Sequence, residues 1–281
     1  MRKIDLITWF DQYIFDFFTD CPENRHSLYQ KLKLNLIYRF GMIGREITDN
    51  IKHWENSYDG QRCFIIGNGP SLNLVDLSLL KNEITFGVNA IYKKTREHDF
   101  LPTFHVVEDY LVAADRCDEI ISLNGTTKFT GNHLNDLLKD ESFIHLNTSF
   151  NYGDYRNFPD FSTNVARKIY VGGTVTYLCM QLAYYMGFSK VVLIGFDHSY
   201  TIPKDHKVDG TIITSVGSDP NHFDKSYFGY GKKWHLPMVE RMEIAYQKAK
   251  KVFENDQRSI INATPGGNLE VFERVTYESL F

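Results

Sequence analysis

The segment KVVLIGFD (Lys190–Asp197) most constrains what this chain can fold into: a near-continuous apolar run that stops abruptly at a glycine and an acid. RCFII (Arg62–Ile66), ITFGV (Ile84–Val88), TFHVV (Thr103–Val107) and FIHL (Phe143–Leu146) share that form. Each is short for a helix and too uniformly apolar for a strand with one face in water. Each therefore predicts a strand covered on both faces. Helical patterns lie between them, clearest at 110–121, 175–186 and 236–254, the last with Pro237 suited to a first turn. Strands alternating with helices predict an α/β fold, a Rossmann-like, mostly parallel sheet with helices on both faces.

With 281 residues, 43% of them hydrophobic, the chain can bury a large core without a disulfide or metal staple. Its formal net charge of −4 argues against a nucleic-acid partner, which calls for a basic surface. Cys21, Cys63, Cys117 and Cys179 are widely spaced, which predicts reduced structural thiols in an intracellular protein rather than a zinc cluster. Asp11 interrupts the N-terminus too early for a secretory signal, so the expected location is cytoplasmic. Residues 169–189 carry no charge, yet Gly172-Gly173-Thr174, Gln181 and four tyrosines favour a buried helix over a membrane span.

The expected organisation is an N-terminal helical extension (1–60) followed by the sheet domain (61–281). Within the extension Leu28, Leu32, Leu36, Phe40, Ile43 and Ile47 recur at helical spacing among basic residues. Such a helix packs on its own domain or on a second copy, making a homo-oligomer, or lies on an anionic membrane as a peripheral contact through residues 25–53.

In an open parallel sheet, ligands bind beyond the carboxyl ends of the strands. Here those ends read Gly67-Asn68-Gly69-Pro70-Ser71, Asn89, Glu108-Asp109 and Asp197-His198-Ser199-Tyr200. GNGPS is either a phosphate loop, offering backbone N–H groups to a nucleotide, or an ordinary glycine turn. It has neither the third glycine of a dinucleotide fingerprint nor the GK[ST] of a P-loop. Gly173 and Thr174 precede a helix, where Thr174 is a natural cap and the free amides can receive an anion. The glycine-rich, aromatic stretch at about 198–235 predicts a lid or substrate loop. Within it, His222 in Asp219-Pro220-Asn221-His222-Phe223 is the candidate general base, against the plainer reading of a solvated loop histidine. Histidine spacing does not suit zinc, and no G-x-S-x-G elbow occurs. The only metal set open to the chain is Mg²⁺ on Glu108, Asp109 or Asp197 with a diphosphate.

The stretches RCFIIGNGPSL, ITFGVNAIY, GGTVTYLCMQLAYYMGFSKVVLIGFD, NHF and INATPGGNLEVF resemble two related groups. One is the bacterial lipooligosaccharide sialyltransferases, the other the MptE-like domain proteins of polysaccharide gene clusters, named for a pterin diphosphokinase. The resemblance runs from about Gln61 to Phe281. It implies a Rossmann-like domain and inverting glycosyl transfer from a CMP-activated acidic sugar to a glycan or lipid-linked glycan acceptor, with no cofactor required. By that resemblance Asn68 and Asn89 contact the donor nucleotide, Gly173-Thr174 lies at the segment before the long helix, His222 is the base and Tyr200 steadies the leaving phosphate. Glu108 stands where a donor-binding asparagine is expected, and a second tyrosine has no match. The MptE-like side implies instead diphosphate transfer from ATP with Mg²⁺. A non-catalytic scaffold that binds nucleotide-sugar is the third expectation.

Overall fold

A computed structural model describes residues 50–150 and 159–281. The proposed amphipathic helix at 25–53 and most of the N-terminal extension lie outside the described residues, as does Cys21. Cys63 and Cys179 are buried free thiols and Cys117 is a half-buried one.

Eight strands form one all-parallel sheet: β1 (Arg62–Ile66), β2 (Thr85–Val88), β3 (Phe104–Val107), β4 (Thr127–Gly131), β5 (Phe143–Leu146), β8 (Lys190–Ile194), β12 (Ser259–Asn262) and β13 (Glu273–Arg274). A two-stranded sheet joins β6 (Thr148–Ser149) to β7 (Ile169–Tyr170), and β9 (Lys207–Asp209), β10 (Ile212–Thr214) and β11 (Lys233–His235) form an antiparallel trio. The main sheet runs in the order β13-β12-β8-β1-β2-β3-β4-β5. Strand order therefore reverses between β1 and β8, where Ile66 pairs with Ile194. This is the switch point at which a doubly wound sheet opens a crevice.

Alternation along β1 shows why its run is apolar throughout. Cys63 and Ile65 enter the core on one face, Phe64 and Ile66 the core on the other. Burying each large side chain of this kind contributes about 1.5–3 kcal/mol. Helices α1 (Tyr92–Arg96), α2 (Tyr110–Ile121), α3 (Val175–Tyr185) and α4 (Val239–Asn255) pack around the sheet. The uncharged stretch 169–189 resolves into β7, a glycine turn and α3, which is sandwiched between β1–β3 and α4. Gln181 sits fully buried in that helix because all its bonding capacity is met: Oε1 accepts from the amides of Ser162 and Tyr170, and Nε2 donates to the carbonyls of Tyr170 and Tyr177. Among the described residues no helix is long and apolar enough to cross a membrane.

Two expectations need correction. Helix α4 begins at Val239, so Pro237 precedes its cap residue Met238 instead of occupying the first turn. The stretch 198–235 is not irregular: it contains the antiparallel trio, and Ile213, Tyr227, Phe228 and Trp234 pack in a core with Tyr92, Val107 and Val112. It is a folded insert seated on the body of the protein.

Candidate active site

The switch-point crevice is lined by the turn after β1 (Gly67, Asn68, Gly69), the end of β2 (Val88, Asn89), the start of α3 (Thr174–Thr176), the loop after β8 (Gly195–Tyr200), Asn221 and His222 of the insert, and Tyr246 of α4. Most of the strand-end residues singled out from sequence thus share one pocket. Pro70, Ser71, Glu108, Asp109 and Gly173 are not among the lining residues.

The glycine turn is held by the loop after β8. Gly67 N donates to Ile194 O and Gly69 N to Gly195 O at 2.9 Å. Ser71 donates through its amide to Asp197 Oδ1 (3.2 Å) and through its hydroxyl to Oδ2 (2.6 Å). A carboxylate of the chain itself thus accepts from the Ser71 end of the GNGPS turn, while Gly67, Asn68 and Gly69 line the pocket. The turn's glycines are required by space: a Cβ on Gly69 would lie 1.8 Å from Asp197 Oδ2, and one on Gly67 2.4 Å from Gly195 O.

Asn68 and Asn89 line the crevice, and each carries a buried amide oxygen. Asn68 Nδ2 donates to Val88 O, which fixes the amide's orientation and leaves Oδ1 buried without a partner. Asn89 has φ of 54° and its own Oδ1 is likewise buried and unpaired. Left-handed backbone outside glycine is a cost that surrounding structure must hold in place. Here His105 Nε2 donates to Asn89 O at 2.6 Å, and burial pushes the His105 imidazole down to about 4, so the donor is a neutral ring. Two desolvated acceptors with no donor favour a ligand that brings N–H or O–H groups.

His222 is better equipped than a solvated loop histidine. Its Nδ1 lies 2.7 Å from Asp219 Oδ2, and Asp219 also accepts from the amides of Asn221 and Phe228. A carboxylate on Nδ1–H fixes the tautomer whose Nε2 carries the lone pair, the arrangement a general base needs. The ring stacks on Tyr227 at 4.1 Å and 6° and meets Phe228 edge-on. Asn221 clamps the Thr201 backbone with both ends of its amide, tying the base to the loop that carries Tyr200.

On the far side, Thr174 caps α3 as expected, accepting from Thr176 N after Gly173 at φ 77°. The buried Tyr246 lines the pocket beside Thr174 and Thr176, and burial pushes its phenol pKa up. The Tyr200 ring is partly exposed, and among the described residues its hydroxyl's partner is Met242 Sδ at 3.9 Å. Sequence reasoning missed Asp219, Tyr227 and Tyr246. The Asp-x-x-His spacing was the available signal for the first; the tyrosines lay in aromatic stretches that read equally well as core.

The magnesium set does not assemble. Asp109 caps α2 by accepting from Leu111 N and Val112 N, and its Oδ2 pairs with His235 Nδ1 at 2.9 Å. Burial opposes ionisation of Asp109, but the His235 bond and charge and the two amides outweigh it and lower its pKa. Burial, and then the Asp109 charge beside it, push the Glu108 carboxyl up to about 8. Both residues follow β3, three strand spacings (roughly 14 Å) from β8 and Asp197. Among the described residues no cluster of three histidine, cysteine, aspartate or glutamate side chains could hold a metal ion.

Comparison with known proteins adds the following. The model of the family described as 6-hydroxymethylpterin diphosphokinase MptE-like matches residues 42–203. The match takes in β1 to β8 and the loop to Tyr200, and stops before Asp219 and His222. A solved structure, the MAf glycosyltransferase from Magnetospirillum magneticum AMB-1, is similar at 15% identity and a TM-score of 0.48, over 81% of this chain and 35% of its own. The chain thus spans about a third of that protein's length. No curated protein matches.

Proposed function

The chain belongs to the MptE-like family, and on that footing we propose that it is an inverting glycosyltransferase that uses a CMP-activated, sialic-acid-like sugar and a glycan or lipid-linked glycan acceptor. The observation that carries the reading is the Asp219–His222 pair in the switch-point pocket. In the proposed reaction His222 Nε2 takes the proton of an acceptor hydroxyl, whose oxygen bonds to the anomeric carbon as that carbon's bond to the phosphate oxygen breaks. Asp219 stabilises the imidazolium that forms, and Tyr200, with the amides that begin α3, holds the departing phosphate. Asn68 and Asn89 accept from hydroxyl or amino groups of the nucleoside. No cofactor enters the scheme.

Charge favours a CMP donor over the ATP of the family's diphosphokinase name. Among the described residues no lysine or arginine lines the pocket. A CMP-activated sialic acid brings two negative charges, its phosphodiester and its carboxylate, whereas a triphosphate brings about four and would need cations to offset them. The carboxylates that a diphosphokinase reading would assign to Mg²⁺ are committed to a helix cap and a turn or lie away from the pocket, so no step is derived through that ion. Action at the cytoplasmic face of a membrane, through residues 25–53, is part of the same proposal.

The test is a thermal-shift panel of CMP, UDP and ATP, each with Mg²⁺ and with EDTA, followed by turnover of CMP-N-acetylneuraminic acid. CMP at a hundred times its Kd should stabilise by about 2.7 kcal/mol with either addition. His222→Ala should keep that shift and lose roughly 10²–10⁴ in turnover. Stabilisation by ATP that needs Mg²⁺, with none from CMP, would replace this reading by the diphosphokinase one.

A further inference from the structure

Beneath the pocket lies a buried cation that nothing above has used. Arg116 is 4% exposed, in the middle of α2, and the helix breaks its geometry to place it: φ is −136° and ψ 19° at that residue alone. The guanidinium donates from Nη2 to Tyr227 O at 2.6 Å, and its carbon lies 5.2 Å from the centre of the Tyr227 ring. His222 stacks at 4.1 Å on that same ring, so the ring meets both the guanidinium and the imidazole. The Tyr227 hydroxyl accepts from Ala90 N at 3.2 Å, next to Asn89 of the pocket. The ion pairs of Arg116 are loose, Nε with Asp115 at 3.7 Å and Nη1 with Glu119 at 3.8 Å, and Nε is buried without a hydrogen bond among the described residues. Desolvating an arginine and leaving a donor unpaired costs stability. A helix that served packing alone would carry an apolar residue here.

We propose that Arg116 is a positioning residue: it fixes the Tyr227 ring, backbone and face together, as the platform that holds His222 with Nε2 toward the pocket. The inference rests on the reading of His222 as the base, and it explains how a base carried on an insert keeps its aim. Asp219 constrains the imidazole within its own plane, but a single bond to Nδ1 leaves the ring free to rock about it. The Tyr227 face removes that freedom, and Arg116 removes the freedom of Tyr227. A group displaced by about 1 Å from its productive geometry loses up to about a hundredfold in rate.

The experiment compares wild type with Arg116→Gln and Arg116→Lys in the full-length chain. Lysine keeps the charge over the ring but not the forked reach to Tyr227 O. The first readout needs no substrate: the His222 ring-proton resonances, assigned by their loss in His222→Gln, are displaced by the stacked Tyr227 ring. In Arg116→Gln they should move toward their unstacked positions and broaden, with Arg116→Lys between. The second is turnover of CMP-N-acetylneuraminic acid, where Arg116→Gln should lower kcat about tenfold or more while KM and the CMP thermal shift stay within twofold, and lysine should restore part of kcat. Unmoved His222 resonances in folded variants, or a loss confined to melting temperature, would overturn the proposal. If Arg116→Gln does not fold, the lysine variant decides by the same resonances. If the resonances move and no variant, wild type included, turns over that donor, the positioning role stands and the donor assignment falls.

Discussion

Replacing Gly69 by alanine tests whether the GNGPS turn is built around Asp197. The new methyl would lie 1.8 Å from Oδ2 of Asp197 and 2.8 Å from Gly195 O, so the carboxylate must leave its place. Leaving breaks its bonds with the hydroxyl and amide of Ser71, and Ser71 is 3% exposed, too buried for water to replace them freely. A hydrogen bond to a charged partner contributes about 1.5–3 kcal/mol, and forced overpacking costs about 1–3 kcal/mol. The two effects overlap because one movement relieves the clash and breaks the bonds, so the expected loss is roughly 3–4 kcal/mol. For a domain of this size that lowers Tm by roughly 6–16 °C. Urea unfolding of wild type, Gly69→Ala, Ser71→Ala and the double variant measures it. If displacement of Asp197 is the cause, Ser71→Ala should cost clearly less in the alanine-69 background than alone. A loss under about 1 kcal/mol, or strict additivity of the two changes, would refute the reasoning.

Other consequences can be measured directly. Glu108 keeps its proton in the folded chain up to about 8, whereas an unfolded glutamate loses it near pH 4, so the folded state binds more protons in between and stability falls as pH rises across that window. Glu108→Gln should therefore stabilise the protein relative to wild type by an amount that grows from about pH 4 to about pH 8 and then levels, as read by urea unfolding in a pH series; a flat difference would contradict it. Asp219→Asn should keep the CMP shift and lower turnover by roughly 10²–10⁴, through the wrong imidazole tautomer. Thr174→Ala removes the α3 cap and should cost about 1 kcal/mol in thermal unfolding.

The fold was legible where strands are buried on both faces, because a run such as RCFII or FIHL has few other uses. β4 escaped notice because TKFTG mixes threonine with Lys128, whose ammonium is satisfied in the structure by Ile121 O and the Phe143 ring, partners that no local pattern shows. β12, as SIIN, is only four residues long and ends in a polar asparagine, too weak a run to stand out. The site was legible as a set of strand ends, since topology alone brings Asn68, Asn89 and Asp197 to one crevice. What the turn does with its amides was not, because the competing acceptor sits 126 residues away on β8's loop. Nor could spacing tell that the insert is a folded sheet: β9, β10 and β11 are three residues each, and their stability comes from Tyr227, Phe228 and Trp234 meeting the body of the protein.

Asp197 also has a bearing on how a ligand enters. Its carboxylate belongs to the wall made by the β1 turn and the β8 loop, while the opening amides of α3 form another part of the same lining. The first repels negative charge and the second attracts it. The crevice is therefore polarised along its length, like a keyed socket. An anionic group is favoured beside the α3 amides and disfavoured beside Asp197.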